Sequence, residues 1–333
     1  MTTMLTSDKR ASDVAVSVIM PAYNTAPFVR EALDSVLAQT YTDYEIIVVN
    51  DGSPDSRQLE QALGPYRARI TYLVQENRGP CAARNAALRH SRAPYVAILD
   101  SDDRWHPEYL ASQLAVLDAD PGIDVVYPDA VRFTAAGTGT TRLSDMYALG
   151  TEVSFLRVLS RECQIYGGAT ARRAALLKVG LYDEDLRSGE DLDLWLRILK
   201  AGGRIVYNDR VLAYYRFREG SLTSNEPQLA RDLLKFLDKL GTKVELTAEE
   251  RMTVERQRSA VVAGLNLAEG KLALFQGDTR SAIAKLTLAA AHTRSWRLRA
   301  LIAALRIAPG ILLRGYRVRK KLGAGQRLRE YGI

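Results

Sequence analysis

The chain has 333 residues, 47% of them hydrophobic and 26% charged, with a formal net charge of +7, which indicates an ordinary globular protein of one large or two ordinary domains. No run reaches the 18 or more apolar residues of a membrane-spanning helix, and the two cysteines and three histidines exclude a disulfide framework and a His-rich metal site. Because the first thirteen residues are polar and lack a signal-peptide pattern, we expect a cytoplasmic protein.

Strands and helices alternate through the first hundred residues. Apolar runs predict four strands, which are Val14–Met20, Tyr44–Asn50, Ile70–Gln75 and Tyr95–Leu99. Helical spacing predicts three intervening helices, which are Ala26–Gln39, Ser56–Leu63 and Gly79–His90. This alternation indicates βαβ units, so we expect an α/β fold with a Rossmann-like, mostly parallel sheet flanked by helices.

The fourth predicted strand is followed directly by Asp100 and Asp102. Ligands of open α/β sheets bind beyond the carboxyl ends of the strands, and Mg²⁺ or Mn²⁺ prefers carboxylate and phosphate oxygens. An Asp-x-Asp at this point therefore predicts a divalent cation, Mn²⁺ or Mg²⁺, that bridges to a nucleotide diphosphate. The alternative is an acidic turn, since Asp favours turns by itself.

The other strands also end in polar residues that would face the same crevice, which are Tyr23, Asn24, Asp51, Glu76 and Asn77. The chain has neither the Gly-x-Gly-x-x-Gly turn of a dinucleotide dehydrogenase nor the Gly-Lys-Ser/Thr of a P-loop. Phosphate charge must then be met by a metal and side chains, which favours the metal interpretation of the Asp-x-Asp.

Four motifs in order carry a family resemblance, and they are Val16-Ser-Val-Ile-Met-Pro-Ala-Tyr-Asn24, Val48-Val-Asn-Asp-Gly-Ser53, Asn77-Arg-Gly…Ala83-Arg-Asn85 and Leu99-Asp-Ser-Asp-Asp103. They resemble the signatures of family 2 glycosyltransferases over about residues 14–225. The resemblance implies the GT-A fold and an inverting, metal-dependent glycosyltransferase (EC 2.4 class). It also implies a nucleotide-sugar donor, with a UDP-sugar as the leading candidate.

The resemblance assigns the nucleotide site to Pro21, Tyr23, Asn24, Asp51, Arg78, Arg84, Asp100 and Ser101, and the metal to Asp100 and Asp102. Tyr23 would stack on the base and Asp51 would accept its ring N–H. A half-buried aromatic and an Asx turn with Gly52 are the alternatives at these two positions. Arg78 and Arg84 suit phosphate contact, and a solvated helix face is the alternative for both.

A second group of predicted site residues comes after a loop predicted at 135–141. The paired Gly167 and Gly168 allow close backbone approach, and with Trp195 and Arg218 they are assigned to the donor or acceptor sugar. A simple tight turn is the alternative for the glycine pair. Many relatives have a metal-binding histidine at the position of Arg218, and an arginine cannot bind a metal, so Arg218 is instead a candidate for direct diphosphate contact.

Ser188–Gly203 is predicted to be a helix capped by Ser188, and acidic residues at its start suit the positive end of the helix dipole without any catalysis. The family resemblance adds that Asp191 is the general base, supported by Glu190. A carboxylate there would take the proton of an acceptor hydroxyl as it attacks the anomeric carbon.

We expect three parts, which are a polar tail (1–13), a catalytic domain (14–226) and a helical basic region (227–333). From residue 291 onward, eleven Lys/Arg accompany one acidic residue, Glu330. This bias predicts that 294–321 contacts an anionic membrane surface, placing the enzyme peripherally on the inner face of the cell membrane. A helix packed on the protein is the alternative. The basic residues lack interleaved aromatics beyond Trp296 and Tyr316, so no nucleic-acid partner is expected.

The leading functional hypothesis is sugar transfer to a saccharide or polyprenyl-linked acceptor in cell-surface polysaccharide or glycolipid biosynthesis. One alternative is a nucleotidyltransferase-like enzyme, although that class usually begins with a Gly-rich basic phosphate loop that Pro21-Ala-Tyr-Asn24 lacks. The other alternative is a non-catalytic sugar- or lipid-binding relative, for which Arg218 is the only indication.

Overall fold

The computed structural model describes residues 3–5, 14–134, 137–150, 152–218, 226–293, 295–307 and 310. Contacts divide the chain into two compact units, Met1–Glu219 and Gly220–Ile333. Among the described residues, no helix has both the length and the apolar character needed to cross a membrane.

The first unit is a mixed α/β structure. Its strands are β1 (Thr3–Leu5), β2 (Val16–Ala22), β3 (Tyr44–Asp51), β4 (Thr71–Gln75), β5 (Tyr95–Ile98), β6 (Arg104–Trp105), β7 (Val125–Thr134), β8 (Gly137–Arg142), β9 (Thr170–Arg172) and β10 (Ile205–Arg216). Its helices are α1 (Val29–Leu37), α2 (Ser56–Leu63), α3 (Pro80–His90), α4 (Tyr109–Ala119), α5 (Leu143–Met146), α6 (Phe155–Leu159), α7 (Arg173–Lys178) and α8 (Glu190–Lys200), with a 3₁₀ helix at Gly64–Arg69.

The described strands form one mostly parallel sheet in the order β1-β4-β3-β2-β5-β9-β7-β10-β6, with β8 paired to β7. β4, β3, β2 and β5 run parallel, as do β7 and β10. β9 is antiparallel to both β5 and β7 and joins the two parallel groups. The α/β prediction is confirmed, and the carboxyl ends of β2, β3 and β5 lie at one edge, as the parallel order requires.

Burial follows the sequence pattern closely in this unit. The apolar strand residues Val18, Ile19, Ile47 and Val48 are fully buried or nearly so. α1 buries Val29, Ala32, Leu33 and Val36, the spacing of one helical face. Covering the sheet with such helices holds the strand ends in fixed positions, and the predicted functional residues follow those ends.

Several predicted boundaries are wrong. Gly137–Arg142 is strand β8 rather than loop, because its threonines suit an extended strand and it pairs antiparallel with β7. Thr3–Leu5, predicted as tail, pairs with β4. Helix α8 has Gly189 as its N-cap, at φ 75°, in place of the predicted Ser188. α4 and β10 are further elements of the structure for which no helix or strand was predicted.

The second unit contains the helices α9 (Glu226–Lys243), α10 (Ala248–Gln276), α11 (Thr279–Thr293) and α12 (Trp296–Ile307). A capping box between Thr247 and Glu250 starts α10, and Gly277 at φ 88° ends it. α10 and α11 form a helical hairpin, in which a β-carbon at Gly270 would lie 2.7 Å from a methyl carbon of Leu286, so the two helices pack closely. Residues 294, 308–309 and 311–321 of the predicted membrane segment lie outside the described residues.

Candidate active site

The Asp-Ser-Asp turn that follows β5 is fixed by hydrogen bonds. The backbone N–H of Leu99 donates to Ile19 on β2 at 3.1 Å, and that of Asp103 donates to the carbonyl oxygen of Asp100 at 3.0 Å. The hydroxyl of Ser101, which is 2% exposed, lies 2.8 Å from that of Thr25. The buried Ser101 hydroxyl therefore helps to hold the turn in place. The side chain of Asp100 is 44% exposed.

Arg84, on α3, joins two acidic segments that are far apart in the chain. Its Nη2 donates to Oδ1 of Asp100 at 2.8 Å, and its Nη1 donates to Oε1 of Glu190 at 2.7 Å. Oδ1 of Asp191 lies 4.0 Å from the same Nη1. Arg84 is only 5% exposed, so the solvated helix face considered for it is wrong. The strand end and the start of α8 therefore meet at one guanidinium group.

Asp191 lies in the first turn of α8 and packs directly against Gly167. A β-carbon at Gly167 would overlap Oδ2 of Asp191 and lie 3.1 Å from its Cγ. Among the described residues, the buried Oδ1 has no hydrogen-bond partner. Burial raises the pKa of Asp191 to about 7, with Arg84 opposing the rise and Glu190 and Asp100 adding to it. The carboxyl group is thus poised to exchange a proton near neutral pH.

The second glycine, Gly168, also has a neighbour that excludes a side chain. A β-carbon there would lie 2.6 Å from the ring of Tyr166. The carbonyl oxygen of Gly168 accepts a hydrogen bond from the Tyr109 hydroxyl at 2.8 Å. The glycine pair therefore allows close packing of Asp191 and Tyr166, and its predicted contact with a sugar stays a prediction.

Asp51, at the end of β3, organises the loop before α3. Its Oδ1 accepts from Gln75 at 2.7 Å and from the backbone of Arg78 at 2.9 Å, and its Oδ2 accepts from the backbone of Gly79 at 2.8 Å. The Asx turn expected here belongs instead to Asn50, whose Oδ1 accepts from the backbone of Ser53 at 2.9 Å. Reading of a base by Asp51 stays a prediction.

Three other predicted nucleotide residues lie at or near strand ends. Pro21 is in β2, opposite Val49 of β3. Asn24 adopts φ 54° and donates its backbone N–H to the Ser53 hydroxyl at 2.7 Å, while Tyr23 is 46% exposed. An exposed ring at this edge is free to stack on a base.

Arg78 and Trp195 differ sharply in exposure. The Arg78 side chain is 62% exposed and pairs with Glu184 at 2.6 Å, and its contact with a phosphate stays a prediction. Trp195 is 1% exposed and belongs to the buried side of α8, which favours a packing role over contact with a sugar.

Asp102 is held by Arg218, whose Nε donates to Oδ2 at 2.7 Å. Burial and the neighbouring Asp100 raise the pKa of Asp102, and Arg218 opposes the rise. Within the described ranges, no cluster of three or more His, Cys, Asp or Glu side chains could hold a metal ion. The carboxylates of Asp100 and Asp102 are nevertheless hard-oxygen donors of the type that Mg²⁺ and Mn²⁺ take, with phosphate and water completing the shell. The two carboxylates therefore fit such an ion only when phosphate and water supply its remaining ligands.

Known proteins resemble this chain in sequence. Residues 17–180 match the family model described as glycosyl transferase family 2. The uncharacterized glycosyltransferase RP339 of Rickettsia prowazekii is 32% identical over 69% of this chain and 74% of its own length. The chain belongs to glycosyltransferase family 2. Another relative, the putative teichuronic acid biosynthesis glycosyltransferase TuaG of Bacillus subtilis, is 30% identical over 65% of this chain and 84% of its own length.

Solved structures show the same GT-A fold. TarS 1–349 of S. aureus in complex with UDP-GlcNAc is 22% identical to this chain. The match covers 95% of this chain and 93% of the TarS chain, with a TM-score of 0.57. The mannosyltransferase PcManGT of Pyrobaculum calidifontis, in complex with GDP-Man and Mn²⁺, is 22% identical over 94% of this chain and 88% of its own, with a TM-score of 0.58. Some longer relatives, such as one from Rickettsia bellii, are covered over only 35% of their length.

Family 2 membership favours glycosyl transfer over the nucleotidyltransferase alternative. No role was predicted from the sequence for four residues at the site, which are Glu31, Asp103, Tyr166 and Arg216. Tyr166 donates to Oδ2 of Asp103 at 3.2 Å, and Arg216 donates from its backbone to Oδ1 of Asp103 at 2.8 Å and from Nη2 to Glu31 at 2.9 Å. A third acid in the Asp-Ser-Asp-Asp motif was the one available signal, since a buried carboxylate needs partners.

Proposed function

We propose that this glycosyltransferase moves a sugar from a nucleotide diphosphate to an acceptor hydroxyl with inversion at the anomeric carbon, as a metal-dependent enzyme. The observation that carries the proposal is the meeting of Asp100, Glu190 and Asp191 at the buried guanidinium of Arg84. It brings a candidate phosphate and metal site next to a candidate base, as direct displacement requires.

In the proposed step, Asp191 accepts the proton of the acceptor hydroxyl while that oxygen forms a bond to the anomeric carbon. The bond from the anomeric carbon to the diphosphate oxygen breaks at the same time, and the nucleoside diphosphate leaves with the electron pair. A pKa of about 7 suits this role, because a general base works best when its pKa is near the working pH. Glu190 pairs with the same arginine, Arg84, that lies next to Asp191, and its charge keeps the surroundings of Asp191 negative.

Asp100 and Asp102 would hold Mn²⁺ or Mg²⁺, which supplies positive charge to the leaving diphosphate. Tyr23, Asp51 and Arg78 lie where they could contact the nucleotide, and a UDP-sugar is the proposed donor. Neighbours of the same fold bind UDP-GlcNAc, and in one case GDP-Man with Mn²⁺, which supports a nucleotide-sugar donor.

The name of one relative supports a role in surface polysaccharide. TuaG is described as a putative teichuronic acid biosynthesis glycosyltransferase. We therefore propose a saccharide or polyprenyl-linked acceptor and a cytoplasmic enzyme held peripherally at the membrane. The basic segment 294–321 would make that contact.

The test is a panel of UDP-, GDP- and dTDP-sugars, with thermal shift and donor hydrolysis measured with and without Mn²⁺. One donor should stabilise the protein and be hydrolysed, with nucleotide diphosphate as product. Asp191→Asn should keep donor binding and lower turnover by roughly 10²–10⁴-fold. Asp209→Asn, at an exposed carboxylate, is the matched control and should behave as wild type. Lack of stabilisation by every donor, or full turnover in Asp191→Asn, would refute the proposal.

A further inference from the structure

Arg218 lies on the carboxylate that is proposed to bind the metal. It follows the end of β10, and its Nε donates to Oδ2 of Asp102 at 2.7 Å. The side chains of Arg218 and Asp102 are only 20% and 18% exposed. The guanidinium carbon also lies 5.4 Å from the centre of the Phe28 ring, a distance at which a cation and an aromatic face attract each other. The pair is therefore shielded from solvent and held from two sides.

The neighbouring Arg216 contacts the backbone of Asp102, whereas Arg218 contacts its carboxylate. Nε of Arg216 donates to the backbone carbonyl oxygen of Asp102 at 2.6 Å, and its Nη2 pairs with Glu31 at 2.9 Å. Arg216 thus secures the backbone of the turn, while Arg218 neutralises the side chain. Because Arg84 also pairs with Asp100, both carboxylates of the Asp-x-Asp already have an arginine partner.

We propose that Arg218 acts as a resident cation at the Asp-x-Asp turn, weakening divalent-ion binding to the free enzyme and making that binding depend on the nucleotide diphosphate. This inference rests on the proposed function. Arginine stays protonated and cannot itself bind a metal, so an ion at Asp102 meets a fixed positive charge. A diphosphate supplies new oxygen ligands for the ion and a bidentate partner for the displaced guanidinium.

Metal and nucleotide binding are then linked. If the diphosphate increases the affinity for Mn²⁺, Mn²⁺ must increase the affinity for the diphosphate by the same factor. The free enzyme would discriminate against free metal ions and load them together with the donor. In this scheme Arg218 acts on the metal through Asp102, and its guanidinium contacts the diphosphate once the ion has displaced it.

The experiment measures Mn²⁺ affinity of the full chain by electron paramagnetic resonance of free Mn²⁺, with and without UDP or GDP. In the absence of nucleotide, Arg218→Met should bind Mn²⁺ at least about tenfold more tightly than wild type, since a nearby charge shifts an ionic equilibrium by about that much or more. The added effect of the nucleotide should shrink in this variant. Arg204→Met is the matched control, because it removes the same charge from an exposed pair with Asp120 at the opposite end of β10.

Arg218→Gln, which keeps a hydrogen-bond donor without the charge, replaces Arg218→Met if circular dichroism shows that the methionine variant is unfolded. Equal Mn²⁺ affinity of wild type and the neutral variant without nucleotide would overturn the inference. Sugar transfer with unchanged Mn²⁺ affinity would refute only the role of Arg218. If the neutral variant binds Mn²⁺ more tightly than wild type but the wild-type protein transfers no sugar, only the proposed function is refuted.

Discussion

Gly167→Ala should displace the carboxylate of Asp191 without destabilising the fold. The added β-carbon would overlap Oδ2 of Asp191 and lie 3.1 Å from Cγ. The carboxylate is the end of a flexible side chain, so it can move aside at little cost to the folded state. Restoring ordinary contact requires a shift of about 1 Å, and a misplacement of that size lowers turnover by roughly 100-fold.

The assay compares kcat and donor KM of Gly167→Ala with those of wild type and Gly64→Ala. Gly64 has an α-helical backbone and open space around its Cα, so an alanine there should leave both parameters unchanged. We expect kcat to fall in Gly167→Ala while the melting temperature and the affinity for the nucleoside diphosphate remain near wild type. A kcat within threefold of wild type would refute the argument, and a rise in donor KM alone would indicate a sugar clash instead.

Three other predictions concern charge. The value of kcat/KM should rise with pH through a midpoint near 7, as Asp191 loses its proton. In Glu190→Gln that midpoint should move to lower pH, because a negative neighbour that raises the pKa is removed; an unchanged or higher midpoint in the pH profile would contradict this. Arg197→Met should lower the free energy of unfolding in urea by about 3–5 kcal/mol, since it removes the arginine from a buried ion pair with Asp193. Arg210→Ala breaks an exposed ion pair and should cost about 1 kcal/mol or less, so similar losses in both variants would contradict the difference in burial.

Local signals were sufficient for β2, β3, β4 and β5 and for their polar ends. Asp100 follows a buried apolar run, and Asp51 follows another, so parallel order alone brings them to one edge of the sheet. The start of α8 was also visible, because acids at a helix N-terminus are a local pattern. The exact cap was missed, since Gly189 adopts a left-handed conformation that depends on how the preceding loop packs.

The burial of Arg84 could not be predicted in the same way. An arginine in an Ala-rich helix has the local appearance of a solvated residue. Its partner Glu190 is 106 positions away, and only the tertiary fold brings the two together. Likewise, Gly167 was expected to admit a ligand, whereas the group that it admits in this structure is the carboxylate of Asp191. Periodicity does not report such contacts.

The two arginines at this site have opposite consequences for chemistry. Arg84 interacts with three carboxylates, so its single charge leaves negative charge in excess, and burial together with that excess keeps the pKa of Asp191 near neutrality. Arg218 forms an ion pair with the carboxylate of Asp102 and opposes the rise in its pKa that burial and Asp100 cause. The side of the site near α8 is therefore prepared to accept a proton. On the side near Asp102, the arginine already occupies the carboxylate, and the diphosphate of a sugar donor is an anion that could take the arginine in its place.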